Sequence, residues 1–208
     1  MPNWCNNNLT LTHEDPAMIQ RAADALLRGE FLNEFCPVPA DLQIVAGRVG
    51  DDADAEQKKL EDQTKANLEK YGYGNWYDYC VAEWGTKWDV GCEGSTDVHP
   101  DGKMLHTYFD SAWSPPIGAY EKLEALGFGV NAMYYEGGMN YAGVYSDGGD
   151  EELNLEGMGA DEIEQNYPEL DEAFGISESI REYLSQEQEE LTEWIKDGVE
   201  QKKLLVAE

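Results

Sequence analysis

Positive charge is scarce in this 208-residue chain, which has 14 lysines and arginines against 43 aspartates and glutamates and a formal net charge of −29. A field of that sign repels nucleic acid and anionic lipid and attracts basic partners, so direct binding to DNA or RNA is excluded as a leading reading. Histidine is almost as scarce. With three in the chain, and no serine or cysteine nucleophile paired with them, acid–base catalysis has little to work with, and no enzymatic activity is expected.

The four cysteines, Cys5, Cys36, Cys80 and Cys92, lack both the close pairing of a zinc site and the density of a secreted disulfide scaffold. They read as reduced, mostly buried thiols, and with His13, His99 and His106 they show no ligand spacing. No metal and no other cofactor is expected. A run of about 18 apolar residues is also missing, and the start Met1-Pro2-Asn3-Trp4 lacks the basic-then-apolar layout of a signal peptide. The expected location is the cytoplasm, away from membranes.

What is present is enough for a folded core. Apolar residues make up 41% of the chain and aromatic residues 11%, ordinary values for a globular protein, so the acidity is not that of a largely disordered chain.

Leu9 and Leu11 alternate with polar residues and predict a strand over about 5–12. Asp15 before Pro16 starts a helix over 16–28 that Gly29 closes. Two prolines make Cys36–Pro39 a connecting loop. From Asp51 to Lys70 the chain predicts a solvated helix with Leu60, Thr64, Leu68 and Tyr71 on one face, and a second helix runs from Asn75 to Gly85. A hairpin of strands at about 87–98 and 104–112 turns at Pro100-Asp101-Gly102. A helix over 115–126 carries Ile117, Tyr120, Leu123 and Leu126, then strands follow at 128–135 and 141–145, with Leu153 and Leu155 in a last short strand.

The order strand, helix, strand, strand, helix, strand predicts an α+β fold of the ferredoxin-like split βαβ type. It occupies residues 1–157, with a helical insertion at about 43–84, and is followed by an acidic helical extension at 158–208. Residues 150–208 alone hold 19 acidic and 4 basic residues, net −15.

Several short segments form an ordered set: Asn3-Trp4-Cys5-Asn6, Trp84-Gly85-Thr86-Lys87-Trp88-Asp89, Ala112-Trp113-Ser114-Pro115-Pro116, Tyr135-Glu136-Gly137-Gly138 and Tyr141-Ala142-Gly143. In that set the chain resembles the YubB-type ferredoxin-like domain family of phages and plasmids over about residues 1–146. The resemblance implies a mobile-element origin and a ferredoxin-like fold without an iron–sulfur cluster. It implies no established activity.

Two constellations stand out as binding candidates. Trp84, Lys87, Trp88, Trp113 and Tyr135 form a candidate aromatic ligand pocket, against which stands the ordinary role of tryptophan in small cores. His106 and Asp110 share a strand face, where a surface histidine is the plainer reading.

In the tail, Ser177 is expected to cap a helix that places Ile180, Tyr183, Leu184, Leu191, Trp194 and Ile195 on one face. The opposite arc carries Glu178, Glu182, Glu189, Glu193, Asp197 and Glu200. Eight carboxylates between residues 178 and 200 fall about 4 Å apart along the axis, close to the ~3.4 Å per phosphate of one DNA strand. Glu187 falls inside the apolar arc, so the helix there is expected to kink, to stay exposed, or to supply Glu187 with a partner. The leading reading is a phage- or plasmid-encoded inhibitor that mimics nucleic acid. Its partner would be a basic host protein of the kind that binds nucleic acid, such as a restriction or other defence nuclease. The rivals are a small-ligand module on the aromatic face and an assembly protein that docks through its tail helix. The oligomeric state stays open.

Overall fold

The computed structural model describes residues 3–50, 54–92 and 96–206, with Asp54 and residues 196–206 as backbone alone. The expected helix start at Asp51 lies outside the described residues. Two compact units make up the chain, Met1–Asn154 and Leu155–Glu208.

In the first unit β1 (Trp4–Thr12) is the central strand, and its buried positions alternate as the sequence predicts. α1 (Pro16–Arg28) starts where the Asp15 carboxylate accepts the Ala17 N–H at 2.9 Å and ends at Gly29, whose φ of 72° is open to a residue without Cβ. After α2 (Phe31–Phe35) and a short 3-10 turn at Ala40–Leu42 come α3 (Asp54–Tyr71) and α4 (Trp76–Glu83). Asn75 caps α4 through its side-chain oxygen. β2 (Asp97–Val98), β3 (Met104–Ala112), α5 (Ile117–Ala125), β4 (Gly129–Glu136), β5 (Tyr141–Ser146) and β6 (Gly149–Asn154) complete the unit.

The six strands form one antiparallel sheet in the order β2-β3-β1-β4-β5-β6. Its first four strands have the split βαβ order, with β1 between β3 and β4, so the fold is α+β and ferredoxin-like, widened by β5 and β6. Leu9 and Leu11 of β1, Ile19, Ala22 and Leu26 of α1, and Tyr120 and Leu123 of α5 form one buried cluster. Asn7 is buried in the middle of that strand, where its side-chain N–H group donates to the Cys5 carbonyl at 2.8 Å and to Ser111 Oγ at 2.9 Å. These bonds tie β1 to β3 by side chain as well as by backbone.

The structure departs from the sequence reading at several places. Residues 87–92 do not extend the hairpin, and among the described residues before the turn only Asp97 and Val98 pair with β3. The Asp89 carboxylate turns instead to the start of α2, accepting N–H bonds from Leu32 at 2.7 Å, Val90 at 2.9 Å and Asn33 at 3.1 Å. Burial raises the Asp89 carboxyl above its ordinary range, and these three donors pull the other way. The Cys92 N–H then donates to the Leu26 carbonyl at 3.1 Å, so the segment is held on α1 rather than in the sheet.

On α3 the expected apolar face is only half covered, with Leu68 exposed. The residue it buries is Asn67, which donates to the carbonyls of Asp41 and Gly74. Leu126 is likewise exposed, at the C-cap of α5. Of the two leucines expected in the last strand, Leu153 lies in β6, and Leu155 belongs to the second unit.

The second unit consists of α6 (Ala160–Asn166), α7 (Pro168–Phe174) and α8 (Ile176–Val206). Ser177 is not the cap of α8. The helix starts one residue earlier, and the Asp171 carboxylate accepts both the Ser177 N–H at 2.7 Å and its hydroxyl at 2.8 Å, so an acid of α7 takes the capping role. Arg181 clamps the first turns of α8 to α6 through Asp161 at 2.9 Å and Glu164 at 2.6 Å. Beyond it every described side chain is exposed.

Candidate functional sites

On α8 the carboxylates of Glu178, Glu182, Glu189 and Glu193 share a narrow arc at 100° per residue, and all four are exposed. Asp197 and Glu200 continue the helix, but their side chains lie outside the described residues. Arg181 is the one basic residue among the described side chains of α8, and it is engaged by Asp161 and Glu164 of α6. Up to Ile195, the last described side chain, the acidic arc therefore has no free cation of its own helix to neutralise it.

Glu187 sits in the apolar arc, as its position requires. That turn is exposed, and Glu187 accepts a 2.9 Å hydrogen bond from the Tyr183 hydroxyl. Two of the three expected resolutions hold at once. With Glu187 displaced from the ridge, four described carboxylates over fifteen residues leave about 7 Å between neighbours, roughly half the linear charge density of a phosphate strand.

Of the five aromatic-pocket candidates, Trp84, Lys87 and Trp88 line one cavity, and Trp113 and Tyr135 are not part of its lining. Trp84 is a core residue whose indole N–H donates to the Cys36 carbonyl at 2.8 Å. The end of α4 turns it inward, and that bond satisfies its one polar atom. Tyr135 lies on the sheet face opposite Asn6 and Ala142. Lys87, Trp88 and Trp113 do meet. The Lys87 ammonium lies 4.6 Å from the Trp88 ring, 5.1 Å from Trp113 and 5.7 Å from Tyr77, a residue the sequence reading left out. Trp4 joins the group at 6.0 Å from Trp88. Among the described residues no ion pair to Lys87 forms, and the rings hold its charge instead.

Trp113 has a φ of 71°, a conformation that bulky residues rarely adopt. It is held there by its N–H on the Asn3 carbonyl at 2.9 Å and by the Tyr141 hydroxyl on its own carbonyl at 2.6 Å. Ser114 donates to the Gly85 carbonyl and Thr86 to the Ala112 carbonyl. Segments that are far apart in sequence thus converge on Trp113. Beside this group a cavity of about 320 Å³ opens between Trp76, Trp84, Lys87, Trp88, Asn33 and Asp89.

His106 and Asp110 share the outer face of β3 but do not act on one another. His106 bonds Asn8 at 2.6 Å, and Asp110 accepts from Asn6 at 2.7 Å. Cys5, Cys36 and Cys80 are buried, and burial pushes the Cys5 and Cys80 thiols up to about 12. Among the described residues no group of three or more His, Cys, Asp or Glu side chains is placed to hold a metal ion, and no helix is long and apolar enough to cross a membrane.

No family model matches the chain. Nor does any curated protein. Among solved structures, the crystal structure of a protein api92 from Yersinia pseudotuberculosis, of the family model DUF1281, is similar at 12% identity with a TM-score of 0.38. The match covers 74% of this chain and 98% of that one. A likeness at that level carries no argument, and the fold rests on the sheet order itself.

Proposed function

We propose that this is a non-catalytic, cytoplasmic binding protein of phage or plasmid origin that inhibits a host nucleic-acid-binding enzyme by presenting carboxylates in place of phosphates. The observation that carries the reading is the row of exposed carboxylates from Glu178 to Glu193 on α8, beside which the described side chains of the same helix place no free cation. The net charge of −29 adds a long-range field that steers basic surfaces towards it. A basic groove that has evolved for phosphates meets charge of the right sign on a rod about 46 Å long, as 31 helical residues require. The mobile-element origin rests on the ordered segments around Trp4, Trp88 and Trp113 alone.

Association of this kind is fast at low salt and fails as salt rises. Host lysate passed over the immobilised protein at low ionic strength, then eluted by a salt step, is expected to yield a basic nucleic-acid-binding protein. Recovery of neutral or acidic proteins only, or of none, sinks the reading.

A second reading, a small-molecule site, is favoured by the unpaired Lys87 ammonium, the strained Trp113 backbone and the adjoining cavity. An aromatic carboxylate matches both the cation and the rings. Titration with such compounds is expected to quench tryptophan fluorescence in the parent and much less in Lys87→Met. Equal quenching in the two proteins removes this reading.

A further inference from the structure

The apolar side of α8 is as exposed as its acidic side. Tyr183, Leu184, Leu191, Trp194 and Ile195 are each at least 50% exposed, and Trp194 reaches 74%. An amphipathic helix gains most of its stability by burying such a stripe, so α8 calls for a partner on that side. We propose that the partner is α8 of a second copy of this chain, and that pairing through the stripes turns the two acidic ridges outward on opposite sides.

Charge decides between a second copy and a basic partner on this side of the helix. The stripe is bordered by Gln188 and Thr192 along one edge and by Ser179 and Gln186 along the other. Arg181 at the first edge is already neutralised by Asp161 and Glu164, which leaves Glu190 as the charged exception. A surface shaped for a basic rim would carry acids at those edges, as coiled coils do when they choose oppositely charged partners. Edges that are neutral apart from Glu190 let two like-charged helices approach while the carboxylates of Glu178, Glu182, Glu189 and Glu193 point away from the seam.

The area is of the order required. The five exposed apolar side chains offer on the order of 600 Å² per copy, so pairing buries at most about 1,200 Å², which brackets the roughly 1,000 Å² that a specific interface needs. Packed helices lie 8–10 Å apart and are each 10–12 Å across, which sets the two ridges about 20 Å apart. That is of the order of a duplex width. Each ridge has about half the charge density of a phosphate strand, and the pair presents two such rows, as a duplex does. The inference rests on the mimic reading for its purpose but not for its test.

Glu187 lies within the seam and weakens it, because a carboxylate there loses water on pairing. Sedimentation equilibrium of the full chain from about 1 to 100 µM, the range a weak interface of this size populates, is expected to show a monomer–dimer equilibrium. Glu187→Leu should tighten it by about tenfold or more, since it completes the stripe. Leu191→Glu combined with Trp194→Glu should weaken it at least about a hundredfold, and because both side chains are exposed in one copy the fold should be kept. If the parent and Glu187→Leu are both monomeric at the top of the range, or the double glutamate variant still dimerises, the proposal is overturned. None of these measurements uses a partner. Loss of the dimer therefore leaves the inhibitor reading standing, and failure to bind a basic partner leaves the dimer standing.

Discussion

Replacing Glu182, Glu189, Glu193 and Asp197 together by glutamine is expected to lower affinity for the basic partner by at least about 100-fold, because several charge-assisted contacts disappear at once. The formal net charge moves only from −29 to −25, since four carboxylates are removed from a chain that carries 43 acidic residues. The global field barely changes, so the loss reports on the ridge itself. Glutamine keeps the length of glutamate and its helix propensity, and the three described side chains are exposed, so helicity and Tm should stay close to the parent. The salt dependence of binding should flatten in parallel. Binding of the variant as tight as that of the parent at physiological salt reduces the ridge to a solubilising surface and removes the main support for mimicry.

The second large effect concerns folding. A Cβ added at Gly91 would lie 2.6 Å from the Gly29 Cα and 2.7 Å from the Leu26 carbonyl oxygen, so backbone meets backbone where residues 90–92 cross the end of α1. No rotamer can relieve that contact. Gly91→Ala is expected to destabilise the protein by about 3 kcal/mol, roughly 6–12 °C in Tm. It should do so by lifting the segment and, with it, the Asp89 cap from α2. Gly50→Ala, where nothing lies within 4 Å and φ is not positive, is the control. A Gly91→Ala protein that melts within about 1 °C of the parent would show that the close approach costs nothing.

The same segment shows why the strand expected over 87–98 does not begin in residues 87–92. Alternation of apolar and polar residues states which side chains are buried, not what buries them. Trp84 and Val90 are buried as an alternating pattern asks. They face the helices around α1 and α2, because Asp89 finds the N–H groups of Leu32 and Asn33 there. The five-residue α2 escaped the sequence reading for a related reason. It is too short to show a helical period, and it is stabilised by a carboxylate 57 positions away from Leu32 in the chain.

Where local physics suffices, residues alone determined the outcome. The alternation of β1, the Asp15 and Gly29 ends of α1 and the Asn75 cap were all legible, since each depends on neighbours within one turn or one pleat, and the split βαβ order followed from the succession of strands and helices along the chain. So were the acidic character of the tail and the position of Glu187 in the apolar arc of α8. Tertiary structure decided the rest. It alone separated buried Trp84 from exposed Trp113, brought Tyr77 and Trp4 to Lys87, and held Trp113 in a left-handed backbone through Asn3 and Tyr141. It alone moved the start of α8 from Ser177 to Ile176 and left the apolar stripe uncovered. A burial pattern is written along the chain because side chains project at fixed angles from a helix or strand. Which distant surface meets each face depends on contacts whose partners lie tens to a hundred residues apart, as Asn3 and Trp113 do.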